Sequence, residues 1–178
     1  MADQDQGIAG NGSGEPADGP QVSTLAQYIK DLSVESPSAP QVFRWQEQPQ
    51  LNVNFSINVD NVDDGVHEVV LKIEVSARSQ SGVHFLVDLS YGGLFGLRNL
   101  PEEALGAFLL AEAPRLLFPF ARQIIADATQ QTGFPPLMLD PIDFGAAYLA
   151  QLQAAQEQQA QQANGSGGSG EEPAPSEG

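Results

Sequence analysis

The sequence contains no cysteine, and this absence excludes several kinds of site at once. A chain without thiols has no disulfide framework, no thiolate nucleophile and no cysteine-ligated metal. Histidine is scarce too: His67 and His84 are the only two, and each lies within a strand pattern. No GxSxG, HExxH, phosphate-loop or dinucleotide motif is present. An enzyme of unrecognised type is therefore a weakly supported alternative, and we expect neither a metal nor a cofactor.

Basic residues are also few: seven Lys and Arg stand against 23 Asp and Glu, giving a formal net charge of -16. Nucleic acid and anionic membrane surfaces should repel such a chain. No run of about 18 apolar residues is evident, and the N-terminus lacks the basic and apolar stretches of a signal peptide. We therefore expect a cytoplasmic protein that does not insert into the membrane and whose partner is basic or amphiphilic.

The two ends of the chain lack the apolar residues that a core requires. Residues 1–21 are rich in Gly, Asp, Gln and Pro, and residues 164–178 read NGSGGSGEEPAPSEG. Such segments bury too little apolar surface to offset the entropy of ordering. We predict a disordered acidic tail over 1–21 and one domain over 22–153. Residues 154–178 are predicted to be a Gln/Ala-rich helix end followed by a disordered acidic tail.

Alternation of apolar and polar residues predicts four strands of an antiparallel sheet. The clearest is residues 51–60, and the others are residues 26–35, 66–78 and 84–91. Turn sequences at 62–65 and 79–82 separate the last three strands. Gly92-Gly93 is expected to end the fourth strand.

From Pro101 onward the apolar spacing becomes that of helices. Pro101 and two following glutamates are typical of a helix start, which Pro114 is expected to interrupt. A second helix should run to about Thr132, bent at Pro119, and a third should span residues 143–162. Strands followed by helices indicate an α+β fold.

Two groups of residues permit both a structural and a functional interpretation. Val42, Phe43 and Trp45 lie in a proline-punctuated segment, where they either pack as core or line a groove, and the pattern favours neither. Asp31, Glu35 and Asp88 point outward from strands, which by itself favours a solvated sheet face over a binding site.

Four longer motifs follow one another along the chain: YIKDLSVESPSAPQVF (28–43), HFLVDLSYGGLFGL (84–97), LLFPFARQII (116–125) and GFPPLMLDPIDF (133–144). Their sequences and their order are similar to those of a known family. Over about residues 22–153 the chain resembles the SecB protein-export chaperone family. The resemblance implies a four-stranded antiparallel sheet with helices packed on one face. It also implies a homotetramer assembled as a dimer of dimers.

The function that the resemblance implies is that of an ATP-independent molecular chaperone. Such a protein binds unfolded, signal-bearing precursors, keeps them competent for translocation and delivers them to the SecA motor ATPase for export. The related alternative is a SecB-like chaperone dedicated to a single partner, such as an antitoxin. Neither function requires a cofactor.

The resemblance also assigns three sets of residues. The positions that match SecA-binding residues are Asp31, Glu35, Leu86 and Asp88. The positions that match the client-binding groove are Val42, Phe43, Trp45, Leu51, Val53 and Phe55. Oligomer assembly is assigned to positions whose burial is either between subunits or in the core: Phe85, Val87, Leu89 and Tyr91. A Gln- and Ala-rich end, which departs from the family pattern, leaves open whether residues 154–178 contact SecA.

Overall fold

The computed structural model describes residues 19–165, in which four strands are followed by helices. The strands are β1 (Gln21–Glu35), β2 (Gln50–Asp63), β3 (Val66–Ser79) and β4 (Gly82–Arg98). The helices are α1 (Glu102–Ala107), α2 (Ala113–Gln131) and α3 (Phe144–Gly165). A short 3-10 helix spans Gln41–Arg44, and a π turn spans Phe108–Glu112. This order confirms the predicted α+β class and the four predicted strands.

The strands form one antiparallel sheet in the order β1-β4-β3-β2. Tight turns join β2 to β3 and β3 to β4, and the first of them contains Gly65 with a φ of 66°, which glycine adopts without strain. Residues 36–49 carry the chain from one edge of the sheet to the other. Irregular backbone is needed for that crossing, and the prolines of this segment fit it.

The helices cover one face of the sheet, and the core lies between the two layers. α2 packs chiefly on β4 and β3, the two central strands. Leu71, Ile73 and Leu89 of the sheet are fully buried in one cluster with Leu117 and Ile125 of α2. Each such side chain contributes about 1.5–3 kcal/mol through the hydrophobic effect. The other face of the sheet carries no helix, and we call it the open face.

β4 does not end at Gly92-Gly93, as the sequence predicted, but continues to Arg98. Both glycines allow a close approach of a neighbour. A Cβ on Gly92 would lie 2.8 Å from Cε2 of Tyr28, and one on Gly93 would lie 2.7 Å from Cδ2 of Leu117. The glycine pair therefore marks tight packing on the two faces of a continuous strand.

The predicted interruption at Pro114 is also wrong, since the helical path from Glu102 to Gln131 is continuous. The π turn comes directly before α2, and Pro114 lies in the first turn of α2. Pro114 has no backbone N–H to donate to the preceding turn, and the helix is wound as a π turn directly before it. Gly133 follows the helix with a φ of 88°, in agreement with its predicted role as the stop.

The same helical stretch is long and apolar enough to cross a bilayer, although the charged residues Glu112 and Arg115 keep it from being an unbroken apolar run. By length and composition alone Glu102–Gln131 qualifies, with a mean hydropathy of 1.4 in its most apolar window. In this fold Leu117, Ala121 and Ile125 are buried in the core cluster that they share with the sheet. That burial is typical of a core helix in a globular domain.

The predicted disorder of the tails falls mainly on residues 1–18 and 166–178, which lie outside the described residues. Within the described part, β1 already begins at Gln21, five residues before the strand predicted over 26–35. α3 passes the predicted domain boundary at residue 153 and extends to Gly165.

Candidate binding surfaces

The open face carries alternate residues of all four strands, and the strand register brings one predicted set together there. Glu35 of β1 pairs with Leu86 of β4, and Ser33 pairs with Asp88. Asp31 lies two residues further along β1, on the same face. All four positions that the resemblance assigns to SecA therefore lie on two adjacent strands.

β3 adds two charged residues that the sequence reasoning missed. Glu74 lies directly opposite Asp88 in the ladder. Lys72 Nζ lies 2.9 Å from Oε1 of Glu74 and 3.2 Å from Oδ2 of Asp88. Its hydrogen bonds with Glu74 and then Asp88 raise the pKa of Lys72. Alternation alone places both residues on the outward face of β3, but their pairing with Asp88 depends on a register that the sequence does not specify.

We call Asp31, Glu35, Glu74, Leu86 and Asp88 the acidic patch. A shallow cleft of about 350 Å³ crosses it. Glu35, Glu74 and Asp88 line this cleft together with the apolar side chain of Leu86. Carboxylates around an apolar side chain complement a partner that offers basic groups beside an apolar contact.

A second polar cluster lies further along the open face. Glu68 is buried and accepts hydrogen bonds from the Tyr28 hydroxyl and from Lys30 Nζ, the latter at 2.6 Å. The bonds from Lys30 and then Tyr28 hold the pKa of Glu68 below its ordinary value. The hydrogen bond to Glu68 raises the pKa of Tyr28 to about 12. Tyr28 reaches Glu68 by passing over Gly92, so the tight contact at this glycine serves the cluster.

The second candidate surface is the apolar side of β2, which the helices leave partly uncovered. Leu51, Val53 and Phe55 are 50%, 39% and 41% exposed, because α2 lies over the central strands instead. The Phe55 ring packs edge-on against Phe144 of α3, with centroids 5.7 Å apart. The predicted β2 members of the groove therefore form an exposed apolar row.

The segment between β1 and β2 adds an aromatic end to this row. Phe43 is 54% exposed, and its ring lies 5.6 Å from that of Phe134. Trp45 packs edge-on against His84 at 5.0 Å. Val42 is only 3% exposed, so its predicted place in the groove needs correction: the 3-10 helix turns Val42 inward and Phe43 outward.

Phe134 is a further member that the groove prediction missed, although its motif, GFPPLMLDPIDF, stands out in the sequence. The Phe134 ring also lies 5.2 Å from the ring of Phe85 on β4. Phe85 pairs with Ala77 on β3, and Ala77 pairs in turn with Leu51 on β2. The aromatic end and the β2 row thus lie at one end of the helix-covered side of the sheet. We call the combined surface the apolar strip: Phe43, Trp45, Leu51, Val53, Phe55 and Phe134.

The four residues assigned to oligomer assembly are buried within a single chain, so the core alternative accounts for their burial: Phe85, Val87, Leu89 and Tyr91. Exposed apolar residues occur nearby instead, at Ile29 and Leu32 of β1 and at Leu116 and Phe120 of α2. The Phe120 ring stacks on Tyr91 with centroids 6.4 Å apart. Tyr91 therefore supports an exposed aromatic without being exposed itself.

His84 is held in place by a hydrogen bond and a ring contact. His84 is buried, its Nε2 lies 3.0 Å from Oγ of Ser79, and its ring packs against Trp45, which fits the predicted structural role. Across residues 19–165 no group of three or more His, Asp or Glu side chains is placed to hold a metal ion.

Residues 15–155 of the sequence match a family model described as preprotein translocase subunit SecB. The chain belongs to the SecB family. A protein-export protein SecB from Sphingopyxis alaskensis is 52% identical over 137 residues, which cover 77% of this chain and 80% of the relative. One from Erythrobacter litoralis is 50% identical over 157 residues, 87% of this chain and 86% of the relative.

A solved structure supports the SecB fold independently. A SecB-like chaperone of Mycobacterium tuberculosis, in complex with a peptide from the HigA1 antitoxin, superimposes with a TM-score of 0.57 over 68% of this chain and 90% of that one. At 18% identity this likeness concerns the fold alone. The much closer SecB relatives are named for protein export, which favours an export chaperone over one dedicated to a single partner. Membership in SecB confirms the export-chaperone function that the sequence motifs implied.

Proposed function

We propose that this protein holds unfolded, signal-bearing precursors on the apolar strip. The observation that carries the proposal is the exposed row Leu51, Val53 and Phe55, which an isolated soluble domain would normally bury. A protein that binds only the unfolded chain lowers its free concentration and so opposes both folding and aggregation by mass action. ATP is not required for such an effect.

Selectivity for unfolded clients follows from the same geometry. Each contact with an extended apolar segment contributes little, and ordering the client is costly, so tight holding requires many contacts along one chain. The strip runs from the aromatic pair Phe43 and Phe134 to the side chain of Phe55 near α3. A folded protein keeps its own apolar segments buried and has little to offer this surface.

Delivery to the SecA motor would use the acidic patch on the opposite face. Its carboxylates on adjacent strands suit a basic motor surface, and Leu86 supplies an apolar contact at the centre. Binding of this kind weakens as salt screens the charges, with a Debye length of about 8 Å at physiological ionic strength. Client holding, which depends on apolar area, should respond less to salt.

The assembly that we propose is a homotetramer, a dimer of dimers, acting in the cytoplasm. Exposed apolar side chains on β1 and α2, such as Phe120, would be buried between subunits. Assembly would also lengthen the surface available to one client chain, because several apolar strips would belong to one particle.

Two double variants test whether the holding and delivery surfaces are separate. Phe43→Ser with Trp45→Ser is expected to weaken holding of an unfolded precursor about tenfold or more, and to leave SecA binding unchanged. Asp31→Lys with Glu35→Lys is expected to abolish SecA binding and to leave holding unchanged. Light scattering of a refolding precursor measures holding, calorimetry measures SecA binding, and sedimentation checks the assembly.

Each double variant has a matched control at the far end of the β2–β3 hairpin. Val62→Ser removes an exposed apolar residue from β2 outside the apolar strip. Asp63→Lys with Asp64→Lys makes the same change in net charge, away from the acidic patch. The assignments are wrong if holding and SecA binding fall together in either test variant, or if a control loses as much as its test variant.

A further inference from the structure

The acidic patch contains a pair of like charges that the fold places side by side. Glu74 and Asp88 lie directly opposite each other on β3 and β4. Like charges in directly opposite positions destabilise a pair of strands. Lys72 lies within 3.2 Å of both carboxylates, so its ammonium group offsets this repulsion.

The bridge made by Lys72 is accessible and incomplete. About a third of the Lys72 side chain is exposed to solvent, as are larger fractions of Glu74 and Asp88. Within the described part of the chain, Oδ1 of Asp88 is shielded from solvent yet accepts no hydrogen bond. An acceptor left in that state is costly and would gain from an additional donor. Lys72 therefore holds the carboxylate of Asp88 through Oδ2 alone.

The other lysine of the chain is bound in a different way. Lys30 Nζ lies 2.6 Å from Glu68, whose side chain is nearly buried and also bonds Tyr28. That pair belongs to the Tyr28–Glu68 cluster, although half of the Lys30 side chain is exposed, whereas Lys72 lies between two carboxylates that face the cleft of the acidic patch. Of the two lysines, only Lys72 contacts carboxylates of this patch.

We infer that Lys72 is an internal counter-ion that limits how tightly the acidic patch binds a basic partner surface. In the free chaperone its ammonium group neutralises part of the charge on Glu74 and Asp88. A basic side chain of the partner must compete with that ammonium group for the same oxygens. Glu74 then becomes a further contact residue of this surface. The inference rests on the proposed delivery to SecA through the acidic patch.

The test compares Lys72→Gln with Arg98→Gln in the full-length assembled protein. Both changes remove one positive charge, but Arg98 lies ten residues from Asp88 on the same strand, about 33 Å at about 3.3 Å per residue. Calorimetry of SecA binding is repeated over a series of salt concentrations. Lys72→Gln is expected to tighten binding about two- to fivefold at low salt and to steepen its salt dependence, while Arg98→Gln leaves both unchanged.

The outcomes separate this inference from the proposal on which it depends. If Asp31→Lys with Glu35→Lys abolishes SecA binding but Lys72→Gln leaves it unchanged or weakens it, the counter-ion role is wrong and the delivery surface stands. If the charge reversal has no effect, the delivery surface itself is wrong. If Arg98→Gln tightened SecA binding equally, the change in affinity would follow from net charge alone, and the inference would be overturned. Unaltered client holding by Lys72→Gln shows that the variant is folded and assembled.

Discussion

The polar cluster of Tyr28, Lys30 and Glu68 is the least expected group of side chains on the open face. A carboxylate as buried as that of Glu68 persists in a fold only when hydrogen bonds replace its lost hydration. Lys30 and Tyr28 both supply such bonds. The cluster links β1 to β3 across the intervening strand β4, so it stabilises the sheet over three strands.

The pKa shifts of this cluster set the pH range over which it stabilises the fold. The pKa of Glu68 is lowered, so its contribution is present above the ordinary carboxyl pKa and is lost as the pH falls through the folded value. The pKa of Tyr28 is raised to about 12, so its contribution is complete below the unfolded value and is lost as the pH rises through about 12.

Tyr28→Phe tests the alkaline side of this range. It is expected to lower the free energy of unfolding by about 1–2 kcal/mol at pH 7, the range from a typical hydrogen bond to one with a charged acceptor. The deficit relative to the unmodified protein should shrink as the pH rises from about 10 to about 12, where the unmodified protein loses the bond as well. Urea unfolding at a series of pH values measures it. A deficit that is independent of pH would contradict the assigned bond.

Among the secondary-structure elements, β4 and α2 form the closest contact between the sheet and its helices. Gly93 makes that contact possible, because a methyl group there would lie 2.7 Å from Leu117 and 2.8 Å from the Phe95 ring. Both of those side chains are fully buried. The separation of the two layers is therefore fixed where the glycine lies.

Gly93→Ala is expected to lower the free energy of unfolding by about 1–3 kcal/mol, since the helix or its side chains must move to admit the methyl group. Leu117→Ala alone should cost about 2–5 kcal/mol through the cavity that it leaves. Because the added methyl group occupies part of that cavity, the double variant should cost less than the sum. Denaturant unfolding of the three variants measures the coupling, and strict additivity would show that the two positions are not in contact.

The strands could be predicted from the sequence because each has one buried and one solvated face. The row Leu51, Val53 and Phe55 shows the limit of that argument: alternation gives its face, but its exposure depends on where α2 lies. Gly92 and Gly93 were predicted to be a break because a glycine pair that ends a strand looks the same in sequence as one that admits close neighbours.

The acidic patch was predictable in part for a similar reason. The two-residue period of a strand placed Asp31 and Glu35 on one face of β1, and Leu86 and Asp88 on one face of β4. The SecB resemblance linked the two pairs. Only the register of β3 against β4 brought Glu74 into the patch, since register is a property of paired strands. The burial of Val42 was likewise beyond the sequence, because an irregular segment has no period from which to infer which side chains turn inward.

Taken as one molecule, the chain combines a formal net charge of -16 with several exposed apolar side chains on its helix-covered side. Charge of one sign opposes indiscriminate association, and apolar area favours specific association. Ile29 and Leu32 on β1 and Phe120 on α2 lie away from the apolar strip, which makes them candidates for subunit contacts.

Phe120→Glu tests the proposed assembly. A carboxylate placed in an apolar interface loses hydration without gaining a partner, so the variant is expected to dissociate into smaller species. Light scattering after size exclusion should give about four times the 18.9 kDa of one chain for the unmodified protein and a lower mass for the variant. Val62→Glu, at an exposed position on β2, is the control and should keep the full mass. An unchanged mass for Phe120→Glu would place the subunit contact elsewhere.

Side chains that alternate along each strand put the apolar strip and the acidic patch on opposite sides of a sheet one layer thick. If the apolar strip binds the precursor and the acidic patch binds the motor, the two partners do not compete for the same surface. The motor is then able to engage a fully occupied carrier, and a three-component complex forms before any transfer begins. The assembled chaperone then holds its precursor and contacts the motor at the same time, rather than in turn.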